Sequence, residues 1–134
     1  MNNEQIEQEI QAKGLTAPRV TPEDIEANIA AEHYFTAADG VQGAADAGRL
    51  HCRHADTDTE NGQRPPAASP FEAHSLLTFC VLLLRNGFTV TGESACVSPE
   101  NFDAGVGRRV ARANAVEKMW PLMGYALKER VHAE

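Results

Sequence analysis

The sequence predicts an α+β fold organised around a central antiparallel β-hairpin, on three observations. The most apolar run of the chain, about residues 75–85, is followed by Asn86-Gly87 and a second strand-like run, about residues 88–96. Asn-Gly between apolar runs is a strong hairpin signal. Apolar residues then recur at helical spacing over about residues 103–119 and 121–131. A lone hairpin is marginal in water, so we expect helices or the strands of a second subunit to complete the core.

A two-residue turn at Asn86-Gly87 fixes the predicted register of the hairpin, with Leu83 opposite Val90. Side chains alternate between the two faces of a strand. The face that we expect to form the core therefore carries Leu77, Phe79, Val81, Leu83, Phe88, Val90 and Cys96. The other face is half apolar, which indicates that the first strand is packed on both sides.

The residues before the hairpin predict N-terminal helices. Ile6 and Ile10 have helical spacing in an acidic segment that Gly14 can end. Thr21-Pro22 begins a second helix, because threonine caps helices and proline favours the first position; we expect this helix to reach about His33. We expect one domain overall, with an acidic helical region over residues 1–50, a long polar loop over 51–72, and the hairpin with two helices over 73–134.

Two C-terminal helices are predicted from a helix N-cap, a stripe of apolar residues at helical spacing, and a proline that should separate the helices. Asp103 can cap the first helix. Its core-facing stripe would consist of Val106, Val110, Ala113, Val116 and Trp120. Pro121 should separate the two helices, because the residue before a proline is biased away from helical geometry. The last helix is apolar nearly all round, so we expect a dimer or a higher homo-oligomer.

The composition and the charge distribution narrow the classes of function that the protein can have. The net charge is −7, which argues against nucleic-acid binding because phosphate contacts need a basic surface. Residues 1–60 hold 4 Lys+Arg and 12 Asp+Glu, whereas residues 61–134 hold 8 and 7, so an anion site belongs in the second half. The three cysteines and the lack of a long apolar helix favour a reducing, cytoplasmic setting away from membranes.

The candidate ligand-binding residues are Arg108, Arg109 and Arg112, together with Glu93. Arg109 falls inside the stripe that should face the core, and a buried arginine has to be paired. Either it pairs with Glu93, Glu100 or Asp103, or the three arginines line a site for an anion, to which arginine makes bidentate contacts. The sequence leaves both interpretations open.

Other combinations of reactive side chains are not expected to form sites. His51, Cys52, His54, Asp56 and Asp58 can ligate metals, but their spacing matches no zinc pattern, so we expect no metal and no cofactor. Glu93 lies close in sequence to Ser94 and Cys96, yet alternation places it on the other face of the strand. We therefore expect a protein that is not an enzyme.

Five segments carry a resemblance to a known family: residues 77–82, 86–96, 98–103, 107–112 and 120–125. Over about Ser75 to Val131 the chain closely resembles a family of small proteins of tailed phages and prophages, typified by the products of gene forty-nine and gene sixty-six of two enteric podophages. Relatives tend to have a glutamate where this chain has Gly105. The resemblance implies an accessory protein outside the virion, with no catalytic residues to transfer and with the host cytoplasm as its location.

Two functions follow as hypotheses. The first is a non-catalytic protein of host takeover or counter-defence that sequesters a small anionic, nucleotide-like ligand. The second is a protein-interaction module that inhibits a host protein, in which the acidic N-terminal half mimics an acidic partner. Ile6, Ile10, Ile25 and Ile29 would support that contact.

Overall fold

The computed structural model describes residues 2–53 and 70–134 and confirms the α+β prediction. The strands are β1 (Ile29–Thr36), β2 (Leu77–Leu84) and β3 (Thr89–Ala95). The helices are α1 (Asn3–Ala12), α2 (Pro22–Ala27), α3 (Ala37–Asp46), α4 (Pro70–His74) and α5 (Ala104–Ala133), and a short 3-10 turn spans Pro99–Asn101. Of the predicted loop, residues 54–69 lie outside the described part of the chain and Pro70–His74 forms α4.

The predicted hairpin is present, but its turn is one residue longer than predicted. The backbone N–H of Leu84 donates to the carbonyl of Phe88, so Arg85, Asn86 and Gly87 form a three-residue loop. Gly87 has a φ of 91°, whereas Asn86 stays in the ordinary negative region. This combination is a turn of type I followed by a left-handed glycine, in place of the two-residue type I′ turn.

The longer turn shifts the register by one residue, so the predicted core face was wrong for β2, whereas Val90 of β3 is buried as predicted. Leu82 pairs with Val90, and Cys80 pairs with Gly92. The buried face of the hairpin, which α5 covers, carries Thr78, Cys80, Leu82, Leu84, Val90 and Gly92. Leu77, Phe79, Val81 and Leu83 point to the other face and are partly exposed. A one-residue change of register reverses both faces of a strand.

The third strand, β1, comes from the same chain and pairs antiparallel with β2. The helix predicted to reach His33 was too long, since α2 ends at Ala27 and β1 begins at Ile29. Ile25 and Ile29 have helical spacing, but Ile29 reaches the core through a register shift before Ala31. That shift interrupts the alternation by which a strand is recognised in a sequence.

Helix α5 is continuous from Ala104 to Ala133 and contains Pro121, so the prediction of two separate helices was wrong. Proline inside a helix costs about 3 kcal/mol, because it removes one hydrogen bond and clashes with the preceding turn. Met119, which is fully buried, and Met123 pack into the core on either side of Pro121 and offset this cost. The predicted N-cap is confirmed, since the Asp103 carboxylate accepts from the N–H of Val106.

The buried face of α5 consists of small residues in its first half, which explains why the predicted apolar stripe was wrong there. Gly107, Ala111, Ala115 and Met119 are buried at successive intervals of four residues. Of the predicted stripe, Val106, Val110 and Ala113 are exposed, whereas Val116 and Trp120 pack against the core. A Cβ atom on Gly92 would overlap the backbone of Ala111 and Ala115. The helix therefore lies directly on the backbone of β3, where only small residues fit.

No helix in the described residues has both the length and the apolar character needed to cross a membrane.

Candidate functional site

Arg112 is held entirely by two carboxylates of the same chain. Its Nη1 and Nη2 atoms donate to Glu26 at 3.0 and 2.6 Å, and its Nε atom donates to Glu32 at 3.2 Å. This fork geometry matches the geometry of a carboxylate. The ion pairs raise the pKa of Arg112, chiefly through Glu26. Each of the three guanidinium nitrogens thus donates to a carboxylate, and Arg112 links α5 to α2 and β1.

Glu32 is the centre of this network. The Tyr34 hydroxyl donates to its Oε1 atom at 2.6 Å. This hydrogen bond, followed by that of Arg112, lowers the pKa of the Glu32 carboxyl. Burial, and then the neighbouring Glu32, raises the pKa of Tyr34, and burial raises the pKa of the fully buried Cys80 thiol. The arrangement stabilises a charged Glu32 beside two neutral groups.

Replacing Glu32 with glutamine should remove part of the pH dependence of stability. A carboxyl whose pKa is lowered in the folded state contributes its full stabilisation of the fold above its pKa in the unfolded chain, here about 4.5. This stabilisation decreases as the pH falls further. Urea unfolding at several values between pH 7 and pH 3 should show Glu32→Gln about 1 kcal/mol less stable at pH 7, with the difference shrinking in acid. The control Glu117→Gln, at an exposed position, should have the same free energy of unfolding as the parent at every pH. A Glu32→Gln destabilisation that stayed constant with pH would contradict the lowered pKa of Glu32.

The remaining predicted ligand-binding residues do not join Arg112 in one site. Arg109 is exposed, which corrects its predicted inward position, and makes no ion pair or side-chain hydrogen bond with any described residue. Arg108 is also exposed and borders a small cavity of about 120 Å³ beside Phe35 and Phe102. Gly92 lies against the backbone of α5 on one face of the sheet. Glu93 is the next residue of β3, so the Glu93 side chain projects from the opposite face.

The described residues include no group of three or more histidine, cysteine or acidic side chains close enough to hold a metal ion. Of the candidate metal-binding segment, His54, Asp56 and Asp58 lie outside the described residues. Cys96 donates a hydrogen bond to the carbonyl of Ser98, and Glu93 accepts one from Thr91.

The structure brings a different set of arginines together. A cleft of about 510 Å³ lies between α2, the β2–β3 turn and the C-terminal half of α5. We call it the arginine cleft; its lining consists of Arg19, Val20, Asp24, Ala27, Asn28, Arg85, Asn86, Met123, Ala126, Leu127 and Arg130. Three arginines and one aspartate border an otherwise neutral, partly apolar surface. The arginine cleft is therefore locally cationic in a protein of net charge −7.

Arg85 is oriented towards the arginine cleft by the end of α2. Its Nε atom donates to the carbonyl of Ala27 at 2.8 Å, and its backbone N–H donates to Asn28. Carbonyls at the C-terminal end of a helix are favourable acceptors for a cation. The Nη1 and Nη2 atoms make no hydrogen bond to any described residue. Arg85 thus offers a pre-oriented pair of donors, which suits a phosphate or carboxylate.

The other two arginines differ from each other. Arg130 is exposed in the last turns of α5 and makes no ion pair within the described residues. Arg19 donates to both carboxylate oxygens of Glu7, at 2.5 and 2.7 Å. Arg85 and Arg130 are consequently available to bind a ligand without breaking an ion pair, whereas Arg19 already binds the carboxylate of Glu7.

No local pattern in the sequence could have revealed this cleft. Arg19, Arg85 and Arg130 lie far apart in the chain, and only the pairing of α2, the hairpin turn and α5 brings them together. The position of Arg85, directly before the Asn86-Gly87 turn, places it at the end of the hairpin but does not indicate which residues lie beside it. The predicted cluster was visible because its members are neighbours on one helix.

A small α+β fold with a meander sheet under one long helix, and with a cationic cleft at its edge, is typical of no single activity. The chain belongs to the phage protein (N4 Gp49/phage Sf6 gene 66) family, whose model matches residues 20–131 and so most of the chain. The suspected relationship is thereby confirmed. Neither a curated protein nor a solved structure matches the chain.

Proposed function

We propose that this phage protein is a non-catalytic accessory protein that binds and sequesters a small anionic, nucleotide-like ligand in the arginine cleft, in the cytoplasm of the host. The observation that carries the proposal is the convergence of Arg85 and Arg130 on one cleft without carboxylate partners among the described residues. The cluster of Arg108, Arg109 and Arg112 does not support it, because Arg112 is neutralised within the chain.

The size and lining of the arginine cleft support a nucleotide more than a bare ion. A volume of about 510 Å³ lies in the range of about 300–1,000 Å³ that small-molecule sites occupy. Met123, Leu127 and Val20 offer an apolar surface for a base, and Asn28 and Asn86 offer polar groups beside it. The arginines would then bind the phosphate.

Calorimetric titration of the full chain with phosphate-bearing and neutral probes tests the proposal. Adenosine monophosphate and cyclic di-adenosine monophosphate supply the phosphates, and adenosine is the matched neutral control. At low salt, at least one phosphate-bearing probe should bind about 10-fold or more tightly than adenosine, since one charge-assisted hydrogen bond contributes about 1.5–3 kcal/mol. Mass spectrometry should recover the bound probe unchanged.

Two results would contradict the proposal. If the phosphate-bearing probes bound no more tightly than adenosine, the arginine cleft would not be an anion site. Conversion of a bound probe into a product would show an enzyme instead of a sequestering protein.

A further inference from the structure

We propose that Glu7 of α1 is an internal competitor for the arginine cleft: Arg19 binds either Glu7 or the anionic group of a ligand, and ligand binding releases α1. This inference rests on the proposed function of the arginine cleft. It assigns to the N-terminal helix a role in setting the affinity of that site.

The contact between Glu7 and Arg19 resembles the contact that a ligand would make. Both carboxylate oxygens of Glu7 accept from the guanidinium of Arg19, at 2.5 and 2.7 Å. A carboxylate and a phosphate both accept the two parallel hydrogen bonds of this fork. Arg19 also lines the arginine cleft. Glu7 occupies the edge of Arg19 that carries Nη1 and Nη2, so a ligand anion can take the two parallel hydrogen bonds of that edge only by displacing Glu7.

The rest of α1 is attached weakly. None of its ten residues, all within the described part of the chain, is buried, and Ile6 is 41% exposed. Ile6 and Ile10 of α1 border a cavity of about 200 Å³ together with Val20 and Trp120. The indole N–H of Trp120, which lines this cavity, is buried without an acceptor among the described residues, and an unpaired buried donor is unfavourable. Among the described residues, the ion pair of Glu7 is the one side-chain hydrogen-bonded link between α1 and the chain beyond Leu15.

The family match separates α1 from the domain that carries the arginine cleft. The family model covers residues 20–131, which include Arg85 and Arg130. Glu7 and Arg19 both precede the matched region. The domain accordingly supplies the two available arginines, and the N-terminal segment adds both a third arginine and the carboxylate that occupies it.

Hydrogen exchange of the α1 amides, measured with and without ligand, tests this competition. The probe is whichever of adenosine monophosphate and cyclic di-adenosine monophosphate binds the parent protein more tightly. Ligands ordinarily slow exchange where they bind, but here saturation should accelerate exchange in α1, because Glu7 loses Arg19. Exchange in β2 should not accelerate.

Glu7→Gln provides the second measurement, and Glu9→Gln is its matched control. Glu9 lies on the same helix and pairs only with the exposed Lys13 at 3.0 Å. Glu7→Gln should accelerate exchange in α1 without ligand and should tighten binding of the same probe about 3- to 10-fold, since the competing charge is gone. Glu9→Gln should bind as the parent does.

The outcomes separate this inference from the proposed function. A parent protein that binds the probe while α1 exchange stays unchanged, with Glu7→Gln equal to the parent in affinity, overturns the competition and leaves the anion site standing. A parent that binds neither phosphate-bearing probe more tightly than adenosine overturns both.

Discussion

Replacing Gly92 with alanine should destabilise the protein by about 3 kcal/mol, at the upper end of the usual cost of overpacking a core. The added Cβ would overlap the carbonyl oxygen of Ala111 and the backbone nitrogen of Ala115, and would lie 2.9 Å from the Cα of Ala115. These are backbone atoms of α5, so no side-chain rotation relieves the contact. The helix as a whole would have to move away from β3, which would open the core between Met119 and Leu82.

The matched control for Gly92→Ala is Gly124→Ala. Gly124 lies inside α5, and a Cβ there would meet nothing within 4 Å. Alanine should therefore stabilise the protein by about 0.5–1 kcal/mol, because it costs less conformational entropy in a helix. Urea unfolding followed by circular dichroism measures both variants. Equal stabilities for Gly92→Ala and the parent would contradict the close approach of helix and strand.

The double variant Arg85→Ala/Arg130→Ala should bind the phosphate-bearing probe about 100-fold more weakly than the parent, or worse. Each lost charge-assisted hydrogen bond costs about 1.5–3 kcal/mol, and about 1.4 kcal/mol corresponds to a factor of ten in affinity. Arg85 also donates to Ala27, so its loss can lower stability. Arg130→Ala alone, which removes no ion pair or side-chain hydrogen bond within the described residues, should lose about 10-fold in affinity while unfolding as the parent does.

The control for the cleft variants is Arg108→Ala/Arg109→Ala. It removes the same formal charge from residues that do not line the arginine cleft. This variant should bind the probe as the parent does. Should it lose binding while Arg85→Ala/Arg130→Ala keeps it, the ligand binds at the start of α5, as the sequence first suggested, and the arginine cleft is not the site.

Local signals in the sequence predicted the local structure well. Thr21 and Asp103 each cap a helix, as the sequence predicted. The apolar run before Asn86 pairs with the following segment as a hairpin. These features depend on residues close together in the chain, so hydrogen-bonding and turn preferences suffice to predict them.

The errors came where tertiary packing outweighs local preference. A third residue in the turn reversed the faces of β2 relative to β3. Pro121 stayed inside α5 because Met119 and Met123 pack on either side of it. The buried face of α5 was missed because glycine and alanine carry little hydrophobic signal, although Ala111 and Ala115 are fully buried. A close helix–strand contact cannot be read from hydropathy.

From the sequence, only the kind of candidate site could be predicted, namely an anion site built from arginines, and not its residues. Charge asymmetry predicted an anion site in the second half of the chain, and the proposed site draws Arg85 and Arg130 from that half. Their convergence depends on the pairing of distant elements, which a single sequence does not reveal. The homo-oligomer expected from the apolar last helix stays a prediction; Tyr125, at 71% exposure, is the side chain to follow in such a test.

An NMR titration of the isotope-labelled full chain with the tighter-binding phosphate-bearing probe tests the central claim most directly. The arginine cleft predicts the largest shifts at the side-chain resonances of Arg85 and Arg130 and at the side-chain amides of Asn28 and Asn86, which line it. Resonances of Arg108 and Arg109 should stay in place. Shifts confined to Arg108 and Arg109, with Arg85 and Arg130 unmoved at saturation, would contradict the assignment of the arginine cleft as the ligand site.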